Sequence, residues 1–140
     1  MLKRITVAAL ALSLLTATPV DAHHTGAPAG SKCPQHYAAA MAAGWSPSHW
    51  QRLDFIMWRE SRCKPTAYNG RGRDNSFGLM QLNMKAHKSW VGPFVGWDFS
   101  VLYDPQTNLA FSKALYDRAR QMYGCGWQPW RTTKQRHWCN

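Results

Sequence analysis

The chain lacks a second glutamate. Of its seven acidic residues six are aspartates, and Glu60 stands alone in the run Trp58-Arg59-Glu60-Ser61-Arg62-Cys63-Lys64-Pro65. A reaction that needs two glutamates is therefore excluded, and any two-carboxylate scheme must recruit an aspartate. No CxxC or HxxxH spacing occurs and the histidines are scattered, so neither a metal nor another cofactor is expected. Gly70-x-Gly72 is too short for a phosphate loop. Internal repeats, heptads and long low-complexity tracts are all missing, which sets aside solenoids and coiled coils. Only one apolar run is present, residues 5–15, and it is too short to span a bilayer.

That run has the layout of an export signal. Lys3 and Arg4 precede it, and Val20-Asp21-Ala22 offers small residues for cleavage. We expect residues 1–22 to be a signal peptide, 23–32 a flexible Pro/Gly-rich leader, and 33–140 a single domain; a retained membrane anchor is the alternative. The expected location is secreted, periplasmic or cell-wall associated, with no stable membrane insertion. Removal of Lys3, Arg4 and Asp21 takes the formal charge from +10 to +9. Such a basic exported domain suits a polyanionic partner. Cell wall fits that description; nucleic acid fits the charge, but the cations are dispersed and no helix face stacks them. A monomer is the default expectation.

Four cysteines, Cys33, Cys63, Cys125 and Cys139, read as two disulfides in an exported domain. Three pairings are open and spacing does not choose among them. The preferred one ties the first helix to the end of the second (Cys33 with Cys63) and pins the tail (Cys125 with Cys139).

The coarse pattern is mainly helical. Residues 35–43 are alanine-rich and end at Gly44, a helix with a glycine cap. Ser46 and Pro47 open a second helix running to about Arg62, near Pro65. Tyr68 to Asn75 is turn-rich and suits a short hairpin. Residues 78–83 are apolar and of uncertain type, and 85–98 read as irregular. Asp104 and Pro105 open a third good helix, with Phe111, Ala114, Leu115, Arg118 and Met122 on one face and Gly124 at its end. The fold class is α+β, mainly α-helical.

Leu53, Ile56, Met57 and Glu60 recur at i, i+3, i+4 and i+7, with Trp50 three residues before. The glutamate thus rides on the apolar stripe, away from Arg52 and Arg59. Apolar surroundings disfavour its charge and suit a proton donor. The competing reading pairs Glu60 with a nearby guanidinium, Arg59, Arg62 or Arg71.

Glu60-Ser61 followed by Pro65-x-Ala67-x-Asn69, then Ser76-x-Gly78-Leu79-Met80-Gln81, resembles the two-part signature of SLT-type lytic transglycosylases in the lysozyme-like superfamily. Asp104-Pro105-x-x-Asn108-Leu109 and Gly126-Trp127-x-Pro129-Trp130 resemble segments of small secreted and phage-associated members. The resemblance spans about residues 46–130. It implies a lysozyme-like domain with a central catalytic helix, acting on peptidoglycan glycan strands. Glu60 would be the single acid/base, cleaving between N-acetylmuramic acid and N-acetylglucosamine and leaving a 1,6-anhydro end. Ser76 and Gln81 would line the cleft, Ser76 bonding the glutamate or a sugar hydroxyl and Gln81 an N-acetyl group.

Around them, Gly78 would permit a tight turn and close glycan approach, and Met80 would pack beside the sugar or in the core. Eight tryptophans are present. Most should fill the core; Tyr68, Trp90, Trp127 and Trp130 are the candidate aromatics for meeting sugar, with Tyr68 and Trp127 preferred. The tyrosine pattern of family members late in the domain is absent around Tyr123, and Asn108 reads as a buried brace. Two other functions stay open. One is a lysozyme-type muramidase using Glu60 with Asp74, although Asp74 also suits a turn cap. Goose-type lysozymes carry an aspartate two residues beyond the glutamine, where this chain has Asn83. The other is a non-catalytic wall-binding module, which would not need Glu60.

Overall fold

The computed structural model describes residues 26–139. The expected signal peptide and the start of the leader lie outside these residues. Short helices dominate: α1 (Tyr37–Ala42), α2 (Trp50–Ser61), α3 (Met84–Val91) and α4 (Pro105–Tyr123), joined by 3-10 turns. Three two-residue strands, β1 (Tyr68–Asn69), β2 (Ser76–Phe77) and β3 (Leu82–Asn83), form an antiparallel sheet in the order β1-β2-β3.

Helix α2 is the centre. A 3-10 turn at Pro47–His49 leads into it, and Arg62, at φ 56°, ends it. Trp50, Leu53, Ile56 and Met57 are buried, as their spacing predicts. Each such side chain contributes roughly 1.5–3 kcal/mol by leaving water. Asp54, on the same helix, is also buried. Its carboxylate accepts from the backbone N–H groups of Lys32 and Cys33 at 2.7–3.0 Å. Trp50 Nε1 donates to Ser31 Oγ at 2.8 Å. The segment expected to be a flexible leader is therefore hydrogen-bonded onto α2 from Ser31 onward. Its composition conceals this because the partners lie about twenty residues away in sequence.

The disulfides are Cys33–Cys63 and Cys125–Cys139, closing separations of 30 and 14 residues. Loops of this size correspond to about 3–4 kcal/mol each in the chain-entropy account.

Two expectations about helices need correction. Residues 84–91 are helical, not irregular. Asn83 is the N-cap, accepting from Lys85 N at 2.9 Å, and Met84 and Val91 are buried one above the other two turns apart. The following Gly92-Pro93 obscured a helix that stops just before it. In α4 the buried face is Asn108, Leu109, Ser112, Leu115, Tyr116 and Ala119. Ala114 and Arg118 are exposed and Met122 is 65% exposed. The polar members turned the helix inward: Ser112 Oγ donates to Asn108 O at 2.7 Å, so its hydroxyl is satisfied in the core.

Asn108 is a complete brace. Its Nδ2 donates to Phe77 O and Leu102 O, each at 3.0 Å, and its Oδ1 accepts from Met80 N at 3.0 Å. One fully buried amide thus fastens α4 to the sheet and to the turn after β2.

Candidate active site

A cavity of about 260 Å³ opens beside the end of α2. Glu60, Asn69, Asp74, Ser76, Gln81 and Trp130 line it, with Leu82, Asn83, His87, Leu115 and Pro129 completing the wall. The helix contributes the glutamate. The sheet contributes Asn69, Ser76 and Asn83 from neighbouring strands, in register at Asn69↔Ser76 and Ser76↔Asn83. This is how three short strands place three polar side chains in one row.

Glu60 is about 28% exposed. The apolar stripe does deliver it to the cavity, but the separation from Arg59 is not kept. Arg59 Nε and Nη2 both donate to Glu60 Oε1. The guanidinium is drawn there by other partners: Nη2 also reaches Trp130 O at 2.6 Å, and Nη1 reaches Gln135 Oε1 at 2.9 Å. It lies 5.9 Å from the ring centres of both Phe55 and Trp138. Among the described residues no hydrogen bond reaches Oε2. Two readings of the sequence, a glutamate on the apolar stripe and a glutamate paired with arginine, therefore describe the same side chain.

Ser76 is buried at the cavity wall and makes no hydrogen bond to Glu60. Gln81 sits at φ 48° and folds over its own turn, with Nε2 donating to Gly78 O at 3.0 Å and Ala67 O at 3.2 Å. Its carbonyl oxygen, rather than the amide donors, is left for a ligand. Asp74 is held from both sides: Asn69 Nδ2 donates to its Oδ2 at 2.9 Å and Asn83 Nδ2 to its Oδ1 at 3.3 Å. It belongs to the cavity and to the hairpin at once.

Three other expected contacts are not brought to the cavity. Met80 is fully buried in the core, where its carbonyl accepts from Trp130 Nε1 at 2.9 Å. Gly78 does make the tight turn, at φ 73°, and the close approach there is by protein. A Cβ there would stand 2.3 Å from Asn108 Nδ2 and 2.4 Å from Leu102 O. Trp127 is 5% exposed and enclosed by Trp45, stacked at 5.5 Å, and by Tyr116 at 4.8 Å and His49 at 5.9 Å. An indole filling the core cannot also present its face to a sugar. Tyr68 is 56% exposed on β1, next to Asn69, with its hydroxyl donating to Asn75 Oδ1 at 3.0 Å.

His87 is the wall residue that spacing did not reveal, because α3 itself was not recognised. It lies on the helix face with Met84 and Val91. Burial holds its imidazole below the ordinary histidine value, and the positive charge of Arg118 adds to the effect.

A mostly helical domain with a small three-stranded sheet, a central helix ending in one glutamate and a polar cavity between helix and sheet make a lysozyme-like α+β fold. The family model described as the transglycosylase SLT domain matches residues 38–133. The chain belongs to that family, and with the family comes peptidoglycan-cleaving activity of the lytic transglycosylase type. Neither a curated protein nor a solved structure matches the chain. Among the described residues no helix is long and apolar enough to cross a membrane.

Proposed function

We propose that this protein is an exported lytic transglycosylase that cleaves the β-1,4 bond between N-acetylmuramic acid and N-acetylglucosamine, with Glu60 as acid and then base. The observation that supports this reading is the position of the only glutamate, in the wall of a polar cavity with one carboxylate oxygen bound by Arg59 and the other unbonded among the described residues. With Oε1 engaged, Oε2 is the oxygen through which the acid delivers its proton. It passes to the glycosidic oxygen as the bond to the anomeric carbon breaks, and the substrate's acetamido oxygen stabilises the positive carbon. The carboxylate then takes the proton of the muramic C6 hydroxyl, whose oxygen closes on the anomeric carbon. Protons balance, and no water enters.

A second reading has one observation in its favour: Asp74 lines the same cavity. A carboxylate there can orient a water, making the enzyme a muramidase with a two-carboxylate scheme. One mass spectrum of digested muropeptides separates the readings, since anhydro ends are lighter than reducing ends by one water. Anhydro products from the wild type, with little change in Asp74→Asn, are expected; reducing ends lost in Asp74→Asn would establish the hydrolase. Glu60→Gln should lower the rate by about 10²–10⁴-fold, the usual contribution of a general acid, while still binding wall. Full cleavage by that variant would remove Glu60 from the chemistry, and wall binding without cleavage by the wild type would leave only the wall-binding module.

A further inference from the structure

The Glu60 cavity shares part of its far wall with a neighbouring groove. His87, Leu115 and Pro129 line both, and the groove, of about 600 Å³, runs between α3 and the C-terminal half of α4. Its floor mixes methyl-bearing and polar groups: Leu115, Ala119 and Met122 with Ser89 and Gln128. Arg118 lies along it with its guanidinium carbon 5.1 Å from the Trp90 ring centre. The ion pairs among the described residues are Arg59–Glu60 and Lys113–Asp117, so Arg118 has no carboxylate partner there. A guanidinium lying on an indole keeps its N–H edge free, and that edge matches a carboxylate in two-point geometry.

We propose that this groove binds the peptide stem of peptidoglycan, with Arg118 as the receptor for a stem carboxylate. The inference rests on the glycan-cleaving reading only for the direction of approach: a muramic acid unit in the Glu60 cavity carries a peptide, and the groove begins at that cavity's wall. The match is chemical as well. Stem peptides alternate small apolar side chains with free carboxylates. On a peptide-bearing strand a further stretch of glycan alone would present hydroxyl, acetamido and lactyl amide groups, none of which carries a charge to meet an unpaired cation. The guanidinium sits over the Trp90 ring, and Leu115, Ala119 and Met122 offer apolar surface to the alanine methyls.

Two measurements test this. In the first, soluble un-cross-linked strands are compared with the same strands stripped of peptide by an amidase. Arg118→Gln should lower kcat/KM on peptide-bearing strands by roughly tenfold, mainly through KM, because a hydrogen-bonded charge is removed. Stripped strands should be cleaved within about twofold of wild type. Equal effects on both substrates, or none on either, would overturn the proposal. In the second, the stem peptide released by the amidase is titrated into the protein and the Trp90 indole N–H resonance is followed. A saturable shift is expected in wild type and not in Arg118→Gln; no shift in wild type refutes the peptide site. That measurement needs no turnover. A shift without cleavage of any strand would keep the peptide site and remove the catalytic reading, while cleavage without a shift would do the reverse.

Discussion

Arg59 makes four hydrogen bonds, two to Glu60 Oε1 and one each to Trp130 O and Gln135 Oε1. Its guanidinium carbon lies 5.9 Å from the ring centres of Phe55 and Trp138, so the guanidinium enters the ion pair already oriented and little side-chain freedom remains to be lost on binding. It fixes which carboxylate oxygen faces the cavity. Arg59→Met keeps the packing but releases the carboxylate, and we expect kcat to fall by roughly ten- to a hundredfold with KM little changed, since misplacement of a reacting group is costly. Arg59→Lys should recover only part of this, because one ammonium cannot span three separate acceptors. A loss confined to KM would show that Arg59 serves binding instead. The Glu60 position was legible from the sequence, through the i, i+3, i+4, i+7 stripe that carries it. The ion pair was one of its open readings, with Arg59, Arg62 or Arg71 as partner; the choice of Arg59 was not legible, because what pulls it inward is a carbonyl at Trp130 and an amide at Gln135, some seventy residues away.

At the scale of elements, the turn after β2 and helix α4 are made for each other. Gly78 at φ 73° leaves room for Asn108, whose amide ties Phe77, Leu102 and Met80 together. Gly78→Ala introduces both an unfavourable backbone conformation and a clash with a buried carbonyl, and should cost about 2 kcal/mol or more. Asn108→Ala strands two carbonyls and one N–H in the core and should cost on the order of 3 kcal/mol. Chemical denaturation checks both; a loss under about 0.5 kcal/mol in either would contradict this account. The helix ends were readable wherever a cap announced them, as at Asp104, whose carboxylate accepts from Thr107 N at 2.8 Å. The buried face of α4 was misread because apolar periodicity gives no weight to Asn108 or Ser112. Trp127 was misassigned for a related reason: an aromatic beside Gly126 reads equally as surface platform or core, and only the packed Tyr116 ring, 2.3 Å from where a Cβ at Gly126 would stand, decides it.

At the scale of the whole molecule the formal charge is +10 with histidines neutral, so acidification adds charge to a chain already repelling itself. Two histidines make the direction definite. His49 is held below 6.5 by burial first and then by Lys113, with Arg120 and Arg52 in the same sense and Asp117 opposing. His87 is held below 6.5 by burial and by Arg118. Each therefore binds a proton more readily unfolded than folded. Their neutral forms give full stability above about pH 6.5, and stability is lost as pH falls from there through their folded values. Asp98 and Asp104 lie below 3.8 because Ser100 and Thr107, respectively, donate hydrogen bonds to them. Their contribution is present above about pH 4 and disappears below it. Thermal midpoints measured from pH 8 to pH 3 should thus decline in two stages, the first beginning near pH 6.5. The double variant His49→Gln, His87→Gln should lose most of the first stage and keep the second. A midpoint that rises on going from pH 7 to pH 5 would mean that both imidazoles gain a partner on protonation, contrary to the packing of His49 between Trp45, Tyr116 and Trp127 and of His87 against Trp90.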